Sequence, residues 1–279
     1  MTANIRMNQN SDKDYVLGTH DDEISRLGLQ HRIWRPTVLD CWRKAGLGTG
    51  MRVLDLGAGP GYATIDLAEI VGSAGQVLAV ERSRRFIEEA ERSCRLRQLS
   101  QVAFREADLM LQPIRAEGFD AAWCRWVASF VSSPATLTKR IHAALKPGGI
   151  AIFHEYGNYA TWQLAPPRLL VESFVREVMA SWRAQGGDPN IALQSPALLS
   201  DAGFSVQSVK PIVFTVSPGD FFWQWPASFI EINLTRLRDL GRVTAEWTEA
   251  VRTEFRQAQL DPTTWLTTPL VLEIVARAD

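Results

Sequence analysis

The sequence predicts a doubly wound α/β fold: seven strands in a mostly parallel sheet with an antiparallel edge, carrying helical insertions as a lid. Three observations lead there. Short apolar runs alternate with helical patterns from residue 51 onward, which is the signature of strands buried on both faces. A glycine-rich turn joins the first run to its helix. After residue 157 the rhythm breaks, and long helical stretches precede two further strands.

Residues 1–14 are polar and read as a disordered N-terminus. Residues 21–47 carry Ile24, Leu27, Ile33, Val38, Leu39 and Trp42 at helical spacing. Asp21 or Asp22 can cap the start, and Pro36 is expected to divide the stretch into two helices. Residues 51–56 form the first strand, 57–61 the turn, and Ile65, Leu67, Ala68, Ile70 and Val71 the apolar face of the next helix. Residues 77–81, 102–105 and 119–124 continue the strands, with a helix over 83–97. Ser133 followed by Pro134 opens a helix that stops near residues 146–149, and 150–155 is the fifth strand.

No strand is expected over 158–194, where Leu169, Leu170, Phe174, Val175, Val178, Met179 and Trp182 mark a helix. Ser195-Pro196 opens a short helix that Gly203 can close. Residues 204–216 read as one long strand bent or interrupted at Pro211, 217–268 as largely helical, and 270–276 as the last strand. The organisation is therefore a core over 15–157 with N-terminal helices, a helical lid over 158–195, and the rest of the sheet over 196–279 with an insertion at 217–268.

A chain of 279 residues with 46% hydrophobic content can bury a sizeable core. Its net charge of -1 argues against a nucleic-acid binder, which needs a basic surface to neutralise phosphates. The arginines around 82–85 and 92–97 are interleaved with Glu88, Glu89 and Glu91, as on a solvated helix face. No apolar N-terminal run or membrane-length apolar segment is visible, and three scattered cysteines fit a reduced, cytoplasmic protein. The histidines His20, His31, His142 and His154 lack ligand spacing, so no metal is expected.

The chemistry concentrates at strand ends, where ligands bind in such sheets. The turn Gly57-Ala58-Gly59-Pro60-Gly61 lets backbone approach a ligand and aims helix N–H groups at it. Glu81 ends the second strand and can accept both hydroxyls of a ribose. Asp108 follows the third strand and can accept from an adenine amino group, with Leu109 against the ring. Each has a plainer reading as a tight turn, a surface acid or a turn aspartate. All three in order make the pattern specific. A nicotinamide dinucleotide is disfavoured, because Tyr62 stands where its fingerprint needs a small residue.

The segment Val53-Leu54-Asp55-Leu56-Gly57-Ala58-Gly59-Pro60-Gly61 resembles the first motif of class I S-adenosylmethionine-dependent methyltransferases. The resemblance runs through Glu81, Asp108 and the fourth strand to Lys146-Pro147-Gly148-Gly149. It implies a Rossmann-like core and S-adenosyl-L-methionine as cofactor. Gly57, Ala58, Gly59 and Gly61 would lie against its amino-acid part, with Asp55 orienting the loop. Glu81 would hold the ribose, Arg82 would flank the adenine, and Asp108 and Leu109 would hold it. Arg125 and Trp126 would stand near the methionine moiety. Residues 15–19 and 30–34 resemble a natural-product and ubiquinone-type subset in which a Tyr and a Gln, here Tyr15 and Gln30, close over the cofactor.

Methyl transfer mainly requires alignment and exclusion of water. Tyr15, Trp34 and Trp126 are candidate aromatic faces for a cationic centre. If the acceptor needs a base, His154 at the end of the fifth strand is the first candidate and His31 the second. Tyr156, Trp162, Phe222 and Trp223 are candidate substrate contacts, implying an apolar or aromatic small-molecule acceptor with O, N or C as the methylated atom. A homodimer through exposed aromatics is compatible with the pattern. The alternatives are a non-catalytic protein that binds the same cofactor and a nicotinamide-dependent oxidoreductase.

Overall fold

A computed structural model describes residues 21–114 and 117–279. The chain runs α1 (Asp21–Ala45), β1 (Arg52–Leu56), α2 (Tyr62–Val71), β2 (Gln76–Glu81), α3 (Arg84–Leu96), β3 (Val102–Glu106), β4 (Phe119–Arg125), α4 (Pro134–Ala144) and β5 (Leu145–Asn158). It continues through β6 (Gln163–Ala165), α5 (Leu169–Ala184), α6 (Ser195–Asp201), β7 (Phe204–Ile212), β8 (Thr215–Val216), α7 (Gln224–Asp239), α8 (Ala245–Leu260), β9 (Trp265–Thr267) and β10 (Leu270–Ala278).

Seven strands form one sheet in the order β3-β2-β1-β4-β5-β10-β7. The five in the order 3-2-1-4-5 are parallel, while β10 runs antiparallel to both β5 and β7. The two late strands thus form an edge paired antiparallel to each other. The order reverses at β1, so the ends of β1, β2 and β4 open onto the crevice where such sheets bind ligands.

Val53, Leu54, Leu56, Ala121, Ala122 and Trp123 are buried because helices cover both faces of the sheet. On one face, α1, α2 and the lid pack around Trp34, Trp42, Trp123 and Phe229; on the other, α4 and α6 pack on Leu54, Phe153 and Leu199.

Pro36 does not divide α1, which is one helix of 25 residues. Pro36 itself is exposed, so the carbonyl it leaves unbonded faces solvent. Trp34, Val38, Cys41 and Trp42 meanwhile bury the opposite side against the sheet. Packing overrides a helix-breaking cost of about 3 kcal/mol. The strand expected over 204–216 is interrupted after Ile212 rather than at Pro211, which the edge position of β7 tolerates.

Beyond Ile212 the chain crosses into a second sheet in the order β6-β9-β8. Residues 158–194 and 217–268 therefore each contain a short strand where none was expected. Strands of three residues are too short to show alternation, and their hydrogen-bond partners lie about a hundred positions away.

The lid core is aromatic. Trp162 meets Phe174 at 5.9 Å and Phe229 at 5.6 Å, and Tyr159 meets Trp182 at 4.9 Å, all edge to face. Among the described residues no helix is long and apolar enough to cross a membrane.

Candidate active site

The β1–α2 turn is shaped by its glycines. Gly57, Gly59 and Gly61 have φ of 63°, 56° and 82°, a region L side chains rarely adopt. A Cβ on Gly57 would stand 2.4 Å from Val127 Cγ2 and one on Gly61 2.5 Å from Ala90 Cβ, whereas one on Gly59 would meet nothing within 4 Å. Gly59 therefore borders open space, and the other two glycines are required by close packing. Below the turn, buried Asp55 accepts from Thr64 Oγ1 at 2.6 Å. Burial pushes its carboxyl up to about 6, with Thr64 and Arg125 opposing.

Glu81 faces the turn. Its carboxylate accepts from the N–H groups of Gly59 at 2.9 Å, Arg82 at 2.8 Å and Ser83 at 2.9 Å. This holds the acid at the tip of β2 and locks the turn against it. Arg82 is exposed beside it. Asp108 Oδ1 accepts from Met110 N at 2.7 Å, forming the turn after β3, and Leu109 is buried. Sequence reasoning missed Arg140 of α4, whose guanidinium donates to the carbonyls of Leu109, Met110 and Gln112 and pins this turn.

The segment after β4 is held under strain. Trp126 has φ of 53°, unfavourable for a bulky residue. Its N–H donates to His154 O at 2.9 Å. Glu155, also missed, fastens the following turn: its carboxylate accepts from Val127 N at 2.7 Å, Ala128 N at 2.8 Å, and Ser129 N and Oγ at 3.2 and 2.7 Å. Burial pushes this carboxyl up to about 7 against those hydrogen bonds. The available signal was an acid inside an otherwise apolar strand.

His31 comes to the site but not as a free base. Its Nε2 lies 3.0 Å from Asp66 Oδ2, and its Nδ1 lies 3.3 Å from Arg125 Nη2. Burial lowers its pKa, with the Asp66 hydrogen bond opposing. The neutral ring then donates from Nε2 and accepts at Nδ1, so both nitrogens are engaged. Burial opposes ionisation of Asp66, yet hydrogen bonds from His31 and Arg35 outweigh it and hold the carboxyl below its ordinary value. A polar residue on the apolar face of α2 was the available signal for Asp66. Tyr62 braces the same junction, its ring 6.1 Å from His31 and its hydroxyl donating to Ile24 O at 3.2 Å.

His154 is corrected outright as a base at the mouth. It is wholly buried beneath α1, its ring 4.9 Å from Trp123 and its Nε2 3.4 Å from Glu273 Oε2. The pleat turns it into the core one step below Tyr156. The ligand atoms of Cys41, His154 and Glu273 lie within 4.8 Å of one another, a grouping that histidine spacing alone did not anticipate. Here the Glu273 carboxylate is the shared acceptor, with Lys210 Nζ also 3.4 Å away.

Trp162 and Trp223 are also corrected as substrate contacts. Trp162 lies in the lid core, and Trp223 stacks on Phe255 at 5.5 Å. Phe222 and Tyr156 belong to an aromatic cluster next to Trp126, the residue that follows β4. Phe222 is 5.7 Å from Trp34, Trp34 is 5.3 Å from Trp126, and Trp126 stacks on Tyr156 at 5.6 Å and on Trp225 at 5.9 Å. Gln30 ties α1 to the lid: its Oε1 accepts from Trp225 Nε1 and from Arg26 Nη1, each at 2.9 Å. Tyr15 lies outside the described residues.

A methyltransferase domain family matches residues 47–192. Among curated proteins, a demethylmenaquinone methyltransferase of Lactococcus lactis is 30% identical over 120 residues, 43% of this chain and 46% of that protein. A 2-phytyl-1,4-naphtoquinone methyltransferase of Nostoc punctiforme is 33% identical over 148 residues, 52% of this chain and 63% of that protein. These alignments span less than two thirds of either relative. Among solved structures, the 4+2 cyclase SpnF shares the fold at TM-score 0.56 and 22% identity, covering 88% of this chain and 80% of its own. A protein of Bacillus halodurans shares it at TM-score 0.57 and 16% identity, covering 86% of this chain and 97% of its own. With the family match spanning more than half of the sequence, this chain belongs to the S-adenosylmethionine-dependent methyltransferases.

Proposed function

We propose that the enzyme methylates a small aromatic acceptor of the phenol or hydroquinone class. One observation carries the reading: the open side of the glycine turn and an aromatic wall flank the end of β4. The turn contributes Gly59, with Glu81 beside it. The wall contributes Trp126, Tyr156 and Phe222, backed by fully buried Trp34. The quinone methyltransferases named above support the acceptor class, since their printed substrates are quinones.

The residues present fit the cofactor. Space is open beside Gly59, and Glu81 stands at the tip of β2 with Asp108 at the turn after β3. Glu81 would hold the ribose hydroxyls, Asp108 and Leu109 the adenine, and residues 57–61 the amino-acid end. When bound, the cofactor supplies a methyl group activated by a positive sulfur. The protein's part is to orient the acceptor, exclude water with the lid and present aromatic faces to positive charge. Neither histidine is left free to act as base, so an acceptor that enters already ionised fits this site best.

Calorimetric titration with S-adenosylmethionine, beside NAD and NADP, tests the cofactor site. Binding of S-adenosylmethionine alone is expected, weakened about tenfold or more by Glu81→Ala and by Asp108→Ala. Unchanged affinity in both variants would refute the residue assignments. Product formation from a panel of naphthols and hydroquinones, against aliphatic amines, tests the acceptor class.

A further inference from the structure

We propose that Arg125 forms a binding subsite for an anionic oxygen of the acceptor, a phenolate or a hydroquinone monoanion, at the aromatic wall; this rests on the reading above. Arg125 is the last residue of β4. Its guanidinium lies 5.0 Å from the centre of the Trp126 ring and 5.9 Å from that of Trp123. Nη2 meets His31 Nδ1, and His31 in turn is held by Asp66, which Arg35 also grips at 2.8 Å. Three elements, α2, α1 and β4, thus form a chain that fixes the direction of one guanidinium.

The other end is unspent. Arg125 Nη1 is buried and has no hydrogen-bond partner among the described residues. Trp34 Nε1 and Trp126 Nε1 are in the same condition, on rings that pack together. Leaving a buried donor unmet is costly, and more so for a charged group. The indoles of Trp42, Trp162, Trp182 and Trp223 share that condition elsewhere in the core, so the charged donor, Arg125 Nη1, is the one that points to an anion.

The charge pattern narrows what fills it. A guanidinium and a sulfonium confined at one strand end repel each other unless an anion lies between them. A carboxylate could come from the cofactor or an oxyanion from the acceptor. The aromatic rings beside Arg125, Trp126 at 5.0 Å and Trp123 at 5.9 Å, match an aryl oxyanion better than an aliphatic carboxylate, which favours the acceptor. Burial pulls Arg125 down to about 10, with Asp55 opposing, so it stays charged near neutrality. His31 is then a positioning residue, acting through Arg125.

The experiment uses full-length protein saturated with S-adenosylhomocysteine and follows quenching of tryptophan fluorescence. The probes are 4-nitro-1-naphtholate and its methyl ether, which cannot ionise. Wild type is expected to bind the naphtholate roughly tenfold or more tightly than the ether, the size of a charge-assisted hydrogen bond. Arg125→Met should bring the two affinities together while leaving S-adenosylhomocysteine binding within about twofold. Arg125→Lys keeps the charge and should retain part of the preference, which separates the subsite from a folding defect.

Three results would overturn the proposal. The first is no preference, or no binding, in wild type. The second is an unchanged preference in Arg125→Met. The third is a large loss of S-adenosylhomocysteine affinity in Arg125→Met, which would assign the guanidinium to the cofactor's carboxylate. Failure of wild type to bind S-adenosylhomocysteine would instead strike the cofactor reading, and the naphtholate preference can be measured without it.

Discussion

Two glycines two positions apart in one turn answer to different constraints. Gly57 has no room for a methyl group beside Val127, whereas Gly59 has room but borders the open site. Gly57→Ala should therefore lower the melting temperature sharply. Gly59→Ala should cost only the strain of a positive φ, about 1–2 kcal/mol, yet weaken S-adenosylmethionine binding by an order of magnitude or more. Thermal denaturation beside calorimetry reads both, and equal losses of stability in the two variants would contradict this account. Histidines make the same point. His31 and His154 are chemically identical in the sequence, but one orients an arginine and the other is sealed under α1.

At the scale of elements, α1 and the β5–β10 pair carry the testable physics. Pro36 sits on the exposed side of α1. Pro36→Ala restores one backbone donor and should raise stability by about 1 kcal/mol, after part of the helix gain is offset in the unfolded chain. A loss of stability would mean that the ring of Pro36 contributes to the native helix more than its missing donor costs. Across β5 and β10, the hydrogen bond from His154 holds Glu273 down to about 2, against burial and with help from Cys41 and Lys210. A depressed carboxylate contributes stability above its unfolded value, and that contribution is lost as pH falls from about 4.5 toward 2. Burial lowers His154 as well, so acid works against the fold at both partners. The stability difference between wild type and Glu273→Gln, followed by denaturant midpoints from pH 6 to 2, should shrink steadily on acidification. A constant difference would dismiss the linkage.

At the scale of the whole molecule, the lid is tied to the N-terminal helix through Gln30 and Trp225, and to the site wall through Phe222 and Trp34. Trp225→Phe removes the Nε1–H donor, worth about 1 kcal/mol, together with half of a buried indole, whose lost packing adds to the cost. Hydrogen exchange in α7 should speed up several-fold, while exchange in β1, β4 and β5 stays unchanged. Uniform acceleration would mean that the lid and the sheet open as one unit. The likeness to a cyclase bears on the same scale: one architecture serves different chemistries, so the fold alone does not name the reaction.

The sequence by itself determined the five parallel strands, the glycine turn and the acids at the tips of β2 and β3. These features are local: apolar runs, a turn chemistry and fixed spacing within some thirty residues survive in any context. Only the tertiary structure decided the rest. Periodicity cannot say whether a tryptophan in a helical insertion faces the site or the lid's own core, and so Trp162 and Trp223 were misplaced. Nor can it say which buried polar groups meet. Asp66, Glu155 and Arg140 took their roles from partners 26 to 35 positions away, across elements the chain brings together only when folded. A side chain's chemistry is set by what desolvates it and what it bonds to, and both are properties of the packed molecule.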